Sequence, residues 1–155
     1  MKPLSRFLSL SRSRKRRLLQ AWFLLVRVRF ALRLLPFGSV RRRLDAWAAR
    51  PVGRRTSATA EELAWAVRAA ARGAPGGRHC LTRALVTHAL LVRHGHEVRI
   101  GFGVKRKGRN DLLAHAWVEC DGKVLMGGED LDGYEPLRPV HESRRERPGR
   151  APTSS

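Results

Sequence analysis

The periodicity of the apolar residues changes at Gly95, and this change constrains the fold more than any other feature of the chain. Before Gly95, apolar residues recur every three or four positions, as in amphipathic helices. After it, "HEVRIGFGV" alternates Val98, Ile100 and Phe102 with arginine and glycine, which is the period of a half-buried strand. Helices that precede strands, instead of alternating with them, predict an α+β fold with a small antiparallel sheet.

Breakers and capping residues divide the chain into predicted elements. Four helices are expected: residues 15–35, ending at Pro36; 39–51, capped by Ser39; 56–73, with acids in the first turn; and 80–93, ending at Gly95. Three strands follow as "HEVRIGFGV", "LLAHAWVEC" and "KVLM". The "DG" between the last two predicts a two-residue hairpin turn, which sets Cys120 opposite Lys123 and His115 opposite Gly128.

Positive charge is concentrated in the N-terminal part. The net charge of +19 far exceeds the magnitude of about 2 to 8 usual for a small domain. Residues 1–55 hold sixteen Lys or Arg and one acid, Asp45, whereas residues 56–155 are nearly balanced. We therefore predict a basic helical region at 1–55, a core at 56–137 and a disordered basic tail at 138–155. The charge predicts an anionic partner: lipid headgroups, acidic peptide or nucleic acid.

The sequence predicts neither a secretory signal nor a membrane span nor a disulfide framework. The first residues lack an uninterrupted apolar stretch followed by a cleavage site. Arg27, Arg29 and Arg33 interrupt the most apolar segment, each unfavourable by about 3 kcal/mol at the centre of an inserted helix. Two cysteines in so basic a chain indicate reduced thiols. We expect a cytoplasmic protein whose first helix lies in the core or on the inner face of the membrane.

Cys80 is the first candidate for chemistry. It lies where the glycine-rich "APGGRH" gives way to a helix, and a helix N-terminus stabilises a thiolate through partial positive charge and free N–H groups. A buried structural cysteine is the alternative, since cysteine is among the most buried residue types. A zinc site is a weaker alternative, because the spacing of Cys80, Cys120 and the histidines matches no familiar ligand pattern.

His115 makes Cys80 a candidate nucleophile. In the predicted strand 112–120, His115, Trp117 and Glu119 share one face. A helix packed across this sheet would bring Cys80 toward His115. A cysteine paired with a histidine, which a third group orients, is the arrangement that activates a thiol.

The stretch "HCLTRALVTHALLVRHGHEVRIGFGV", followed by "AHAWVECDGKVL", resembles the transglutaminase-like cysteine protease domain of lasso-peptide biosynthesis. The shared features are Cys-Leu at the start of a helix, a Gly at its end, a strand with a Gly, and His-Ala-Trp-Val-Glu before a DG hairpin. The resemblance covers about residues 60–137, and "LLQAWFLLVRVRFALRLLPF" is similar to that family's N-terminal helix. It implies a papain-like core, with Cys80 as nucleophile and His115 as base.

The third catalytic residue has several candidates. The family usually has an Asp about twelve residues beyond the histidine, where this chain has Gly127. Asp121 is predicted at the hairpin tip, about five residues from His115 and out of reach at roughly 3.3 Å per residue. Glu129 and Asp130 follow the facing glycines, and Asp130 lies on the His115 face by parity. We expect Asp130, with Glu129, Asp121 or a dyad oriented by backbone or water as alternatives.

The resemblance implies a peptidase that removes the leader from a ribosomally made lasso precursor. Such an enzyme acts with a separate leader-binding protein and an ATP-dependent cyclase, and its chemistry needs no cofactor. Because the residues before Cys80 are predicted as helices, leader capture is assigned to the separate protein. Two alternatives stay open: an amide-transferring enzyme with the same Cys80 and His115, and a non-catalytic membrane or nucleic-acid binder driven by residues 1–55. The chain has no recognised DNA-reading motif.

Overall fold

Four helices precede four strands in the computed structural model, which describes residues 11–50, 58–75, 79–107, 111–128 and 131–137. The helices are α1 (Arg12–Leu34), α2 (Phe37–Ala48), α3 (Ala60–Ala71) and α4 (Cys80–Arg93). The strands are β1 (Val98–Lys107), β2 (Asp111–Cys120), β3 (Lys123–Met126) and β4 (Glu135–Pro136). This arrangement confirms the predicted α+β class.

Capping residues mark the start of α3 and the end of α4. The Thr59 hydroxyl accepts the N–H of Glu62, and the Glu62 carboxylate accepts the N–H of Thr59, which completes a capping box. Gly95 follows α4 with a φ of +84°, a conformation that costs glycine little. The helix that starts at Cys80 therefore has the predicted bounds.

The first two helices begin earlier than predicted. The predicted N-cap of α2 was Ser39, but the cap is Pro36 and the helix starts at Phe37. Proline has no N–H to satisfy, and its fixed φ suits a helix start. The Ser39 hydroxyl instead accepts a hydrogen bond from the Arg42 guanidinium at 3.3 Å. α1 starts three residues before the predicted position, with Ser11 as its N-cap.

The sheet has the strand order β3-β2-β1-β4, and every neighbouring pair is antiparallel. β4, which the sequence analysis did not predict, pairs with β1 at Gly103 and Val104. β3 and β4 form opposite edges of the sheet. Tyr134, the residue before β4, has its ring beside the ring of His115.

The hairpin turn is confirmed, but the register shifts by one residue beyond it. Cys120 faces Lys123, as predicted. A bulge then sets Val118 opposite the last residue of β3, so the strand ends before it reaches the middle of β2. The predicted pairing of His115 with Gly128 is therefore wrong.

α4 lies at the centre of the hydrophobic core. Its Leu85, Leu90 and Leu91 are at most 2% exposed. They pack between the other helices and the sheet face that carries Ala116 and Val118. Full burial of such a side chain contributes about 1.5–3 kcal/mol, so α4 is firmly held in the core.

The basic helices share this core with the rest of the chain. Buried residues of α1 and α2 belong to the same apolar cluster as those of α3 and α4. The predicted boundary between residues 55 and 56, and the tail at 138–155, lie outside the described residues and stay predictions. Among the described helices, none is long and apolar enough to cross a membrane.

Candidate active site

Cys80 is the first residue of α4, where unpaired N–H groups and the helix dipole create a positive end. Its side chain is half-buried, and its Sγ lies 3.9 Å from the carbonyl oxygen of Ala114 in β2. The thiol is thus held between the helix start and the strand that carries the candidate base.

The backbone pattern shows on which side of β2 the thiol lies. The N–H of Leu137 donates to the carbonyl of Phe102 at 2.7 Å, so the polar backbone groups of Phe102 point toward β4. Those of Gly103 then point toward β2, where Gly103 is paired with His115. The backbone groups of Ala114 consequently point away from β1, toward the edge that β3 leaves uncovered. Cys80 contacts this edge.

The His115 ring is oriented by a backbone carbonyl. Its Nε2 lies 2.7 Å from the carbonyl oxygen of Gly127, and the Tyr134 ring lies beside it with 5.2 Å between centroids. A carbonyl oxygen only accepts hydrogen bonds, so Nε2 is the donor. In the neutral ring the lone pair is then on Nδ1, which leaves that nitrogen to act as a base.

Gly127 lies at the position where the lasso-pathway proteases that this sequence resembles have the Asp of the catalytic site. Its φ is +78°, and a Cβ at this position would lie 2.5 Å from the carbonyl oxygen of Ala116. No side chain fits there without a shift of the backbone. The position twelve residues after His115 therefore provides a main-chain oxygen instead of a carboxylate.

Cys80 and His115 approach neighbouring residues of β2. The thiol contacts the carbonyl of Ala114, and the ring projects from the next residue. The contacts of residues 79–107 and 111–128 do not include a hydrogen bond between the thiol and the ring. In unliganded enzymes such bonds are commonly long and tighten when substrate binds.

Of the three candidates for the third catalytic residue, the structure describes only Asp121. Asp121 is at the tip of the hairpin, with a φ of +49°, and its Oδ2 lies 3.6 Å from the Cys120 thiol. Glu129 and Asp130 lie outside the described residues, so their role stays a prediction. In the described part of the chain, the group that orients His115 is the Gly127 carbonyl.

Cys120 has the surroundings of a structural cysteine. It is 4% exposed and lies at the hairpin end of β2. Burial raises the pKa of the Cys120 thiol, and the negative charge of Asp121 raises it further. A thiol with a raised pKa is a poor nucleophile at neutral pH. Both cysteines are free.

Trp117 covers the sheet face on which His115 lies. A Cβ on Gly101 would collide with the indole, and one on Gly103 would lie 3.0 Å from it. The indole N–H donates to the Glu119 carboxylate at 2.8 Å. The two glycines of "IGFGV" therefore make room for this tryptophan, a role that sequence reasoning missed, as it missed Tyr134 and the Gly127 carbonyl.

A metal centre has no support in the described ranges, where no three His, Cys, Asp or Glu side chains cluster closely enough to hold an ion. Comparison with known proteins gives one result. Residues 23–139, well over half of the chain, match the family model of the transglutaminase-like superfamily. No curated protein and no solved structure matches the chain.

Proposed function

The chain belongs to the transglutaminase-like superfamily, whose members are commonly enzymes of the cysteine-protease or transglutaminase type. From this premise we propose that it is a cysteine peptidase that removes the leader from a lasso-peptide precursor. One observation carries the proposal. The thiol of Cys80 lies at a helix start against the strand of His115, and the Gly127 carbonyl holds that histidine.

The first chemical step forms an acyl-enzyme. His115 takes the proton of the Cys80 thiol at Nδ1, and the thiolate attacks the scissile carbonyl carbon. The C–N bond breaks, and the proton passes from Nδ1 to the leaving amine of the core peptide. The leader is then bound to Cys80 as a thioester.

The second step releases the leader. His115 takes a proton from water, the hydroxide attacks the thioester, and the thiol leaves with the proton that His115 returns. Throughout, the hydrogen bond from Nε2 to the Gly127 carbonyl leaves Nδ1 as the nitrogen that carries the proton. The free N–H groups at the start of α4 would stabilise the oxyanion formed in both steps.

The proposed substrate and partners are inferred from two sequence motifs. "HCLTRAL" at the start of α4 and "HAWVECDG" in β2 and its turn are the stretches that resemble the lasso-pathway proteases. We assign leader capture to a separate leader-binding protein and ring closure to an ATP-dependent cyclase. This assignment is supported by the described residues before Cys80, which form helices that share the common core.

The test uses a lasso-precursor peptide together with a separate leader-binding protein. Incubated with them in ¹⁸O-labelled water, the enzyme should release a leader that carries the label in its new carboxylate. Added hydroxylamine should intercept the thioester as a leader hydroxamate. Transfer to a peptide amine without label would show amide transfer instead of hydrolysis, and an intact precursor with folded enzyme would refute the proposed peptidase.

A further inference from the structure

α1 is apolar on two opposite faces. Its inner face carries Ala21, Leu25 and Val28, which are at most 4% exposed and form part of the core. Its outer face carries large apolar side chains that the fold does not cover. We call this set the outer stripe; it consists of Leu19 (49% exposed), Phe23 (60%), Phe30 (56%) and Leu34 (79%), continued by Phe37 (43%) at the start of α2.

The spacing places the stripe on a single line. Leu19 and Phe23 are four residues apart, as are Phe30 and Leu34, and seven residues separate Phe23 from Phe30. Side chains at these intervals lie on one face of a helix, so the stripe extends over about 22 Å. Packing against the rest of the protein accounts for the inner face, and the outer face needs a different explanation.

The charges around the stripe have one sign. α1 contains eight Lys or Arg and no acidic residue. Arg27 lies four residues after Phe23 and so belongs to the same face, and Arg33 flanks Leu34; both are exposed. A helix with aromatic and leucine side chains on one face and arginines beside them is suited to the interface of an anionic bilayer.

We propose that the outer stripe lies on an anionic membrane surface, with Phe23, Phe30 and Leu34 among the acyl chains and Arg27 and Arg33 at the headgroup phosphates. This proposal does not depend on the peptidase activity. The helix lies on the membrane instead of crossing it, since no described helix is apolar enough to span one.

The geometry favours lipid over a protein partner. A groove of about 580 Å³ runs between α1 and α2, and a partner helix would bind there. Its lining is apolar apart from Gln20, Arg27 and Arg43. Leu19, Leu34 and Phe37 do not line this groove. An occupant of the groove would leave Leu34, the most exposed of the set, in water, whereas a bilayer surface covers the whole stripe.

The test is sedimentation of the full chain with vesicles. Vesicles of equal parts phosphatidylcholine and phosphatidylglycerol should bind the protein, and those of phosphatidylcholine alone should not. Binding should fall as salt is added, because exposed charges are screened. Arg27→Gln with Arg33→Gln should weaken it about fivefold for each arginine and flatten its salt dependence.

Two matched double variants show whether binding requires the outer stripe or only exposed apolar side chains in general. Phe30→Gln with Leu34→Gln should weaken binding about tenfold or more. Leu112→Gln with Leu137→Gln, which alters residues exposed on the sheet (66% and 49%), should leave binding unchanged. Circular dichroism checks that both pairs fold. Equal losses in the two pairs, absent binding to the anionic vesicles, or salt-sensitive binding of a Glu-rich amphipathic peptide in place of vesicles would each overturn the proposal.

Discussion

The two ends of β2 differ in how much of the protein covers them. At the hairpin end, Val118 to Cys120 pair with β1 on one side and β3 on the other, and Cys120 is 4% exposed. At the open end, Asp111 to Ala114 pair with β1 alone among the described residues, and Leu112 is 66% exposed. The hairpin end of β2 is thus packed in the core, and its open end is exposed to solvent.

This difference gives the two cysteines different chemistry. At the covered end, burial raises the pKa of Cys120 and keeps its thiol protonated. At the open end, Cys80 meets the strand at its uncovered edge, with the start of α4 behind it. The two thiols belong to the same residue type but have different surroundings.

After loss of the Cys80 thiol itself, the largest effect is expected from the base at the open end. His115→Ala should lower the rate of precursor cleavage by about 10² to 10⁴, because proton transfer to and from the thiol is lost. The matched control is His94→Ala, since His94 is half-buried and bonds the Leu90 carbonyl at the far end of α4. Initial rates by mass spectrometry check both. Similar rates for the two variants would contradict a role for His115.

Gly127 and Gly122 both have positive φ, and substitutions at these two positions allow a direct comparison of the two ends of β2. A Cβ on Gly127 meets the Ala116 carbonyl at 2.5 Å, whereas one on Gly122, at the hairpin tip, meets nothing within 4 Å. Both alanine variants should lose about 1–2 kcal/mol of stability from left-handed backbone, and Gly127→Ala should lose more because its Cβ collides with the Ala116 carbonyl. Gly127→Ala alone should also slow cleavage about tenfold to a hundredfold, because it displaces the oxygen that orients His115. Equal cleavage rates of the two variants, both folded by circular dichroism, would exclude the carbonyl as the orienting group.

Loss of a candidate third catalytic carboxylate should have a smaller effect on the cleavage rate. Asp130→Asn should reduce the cleavage rate more than Asp121→Asn, since Asp121 lies at the hairpin tip beside Cys120 and away from His115. If both variants keep the wild-type rate, the site is a dyad held by Gly127. A larger loss at Asp121 would contradict the assignment of the hairpin end to structure alone.

The smallest effect concerns the stability of α4, which holds Cys80 at the open end. Burial lowers the pKa of His88 below its ordinary value of 6.5; Arg41 lowers it further, and Asp45 opposes the change. As pH falls below about 6.5 the unfolded chain takes up this proton before the folded one does, so stability is lost on acidification and is full at higher pH. The loss should be small, because the His88 side chain is only partly buried and solvent screens its charge.

Urea unfolding on either side of this pH measures the loss. His88→Gln should flatten the pH dependence, whereas His79→Gln, at an exposed position, should keep it. A wild-type protein that becomes more stable on acidification through this range would contradict the assignment.

Side-chain patterns predicted most of the fold because they report on local structure. The bounds of α4, the capping box of α3 and the hairpin at Asp121 follow from residues that act on their own neighbours. β4 was missed because it consists of two residues, one of them proline, which pair only through a distant strand. A stretch this short has no period to detect.

Sequence reasoning proposed side chains for the candidate site, whose catalytic roles stay predictions, and it missed the main-chain contacts. Cys80 and His115 were identified by residue type and order. The bulge that shifts β3, and the Gly127 carbonyl that bonds His115, involve main-chain atoms that every residue has. The glycine that replaced the expected acid was visible in the sequence, but its φ and its contact with Ala116 arise only from the tertiary fold.

The central claim is that the thiol at the open end acts and the thiol at the covered end packs. Its most direct test is the initial rate of leader cleavage by Cys80→Ala and Cys120→Ala in the same reconstituted mixture. Cys80→Ala should show no cleavage while it keeps the wild-type circular dichroism. Cys120→Ala should cleave at nearly the wild-type rate, with a stability loss of about 1 kcal/mol from the small cavity. Cleavage by Cys80→Ala at the wild-type rate, or its loss in a folded Cys120→Ala, would contradict the account.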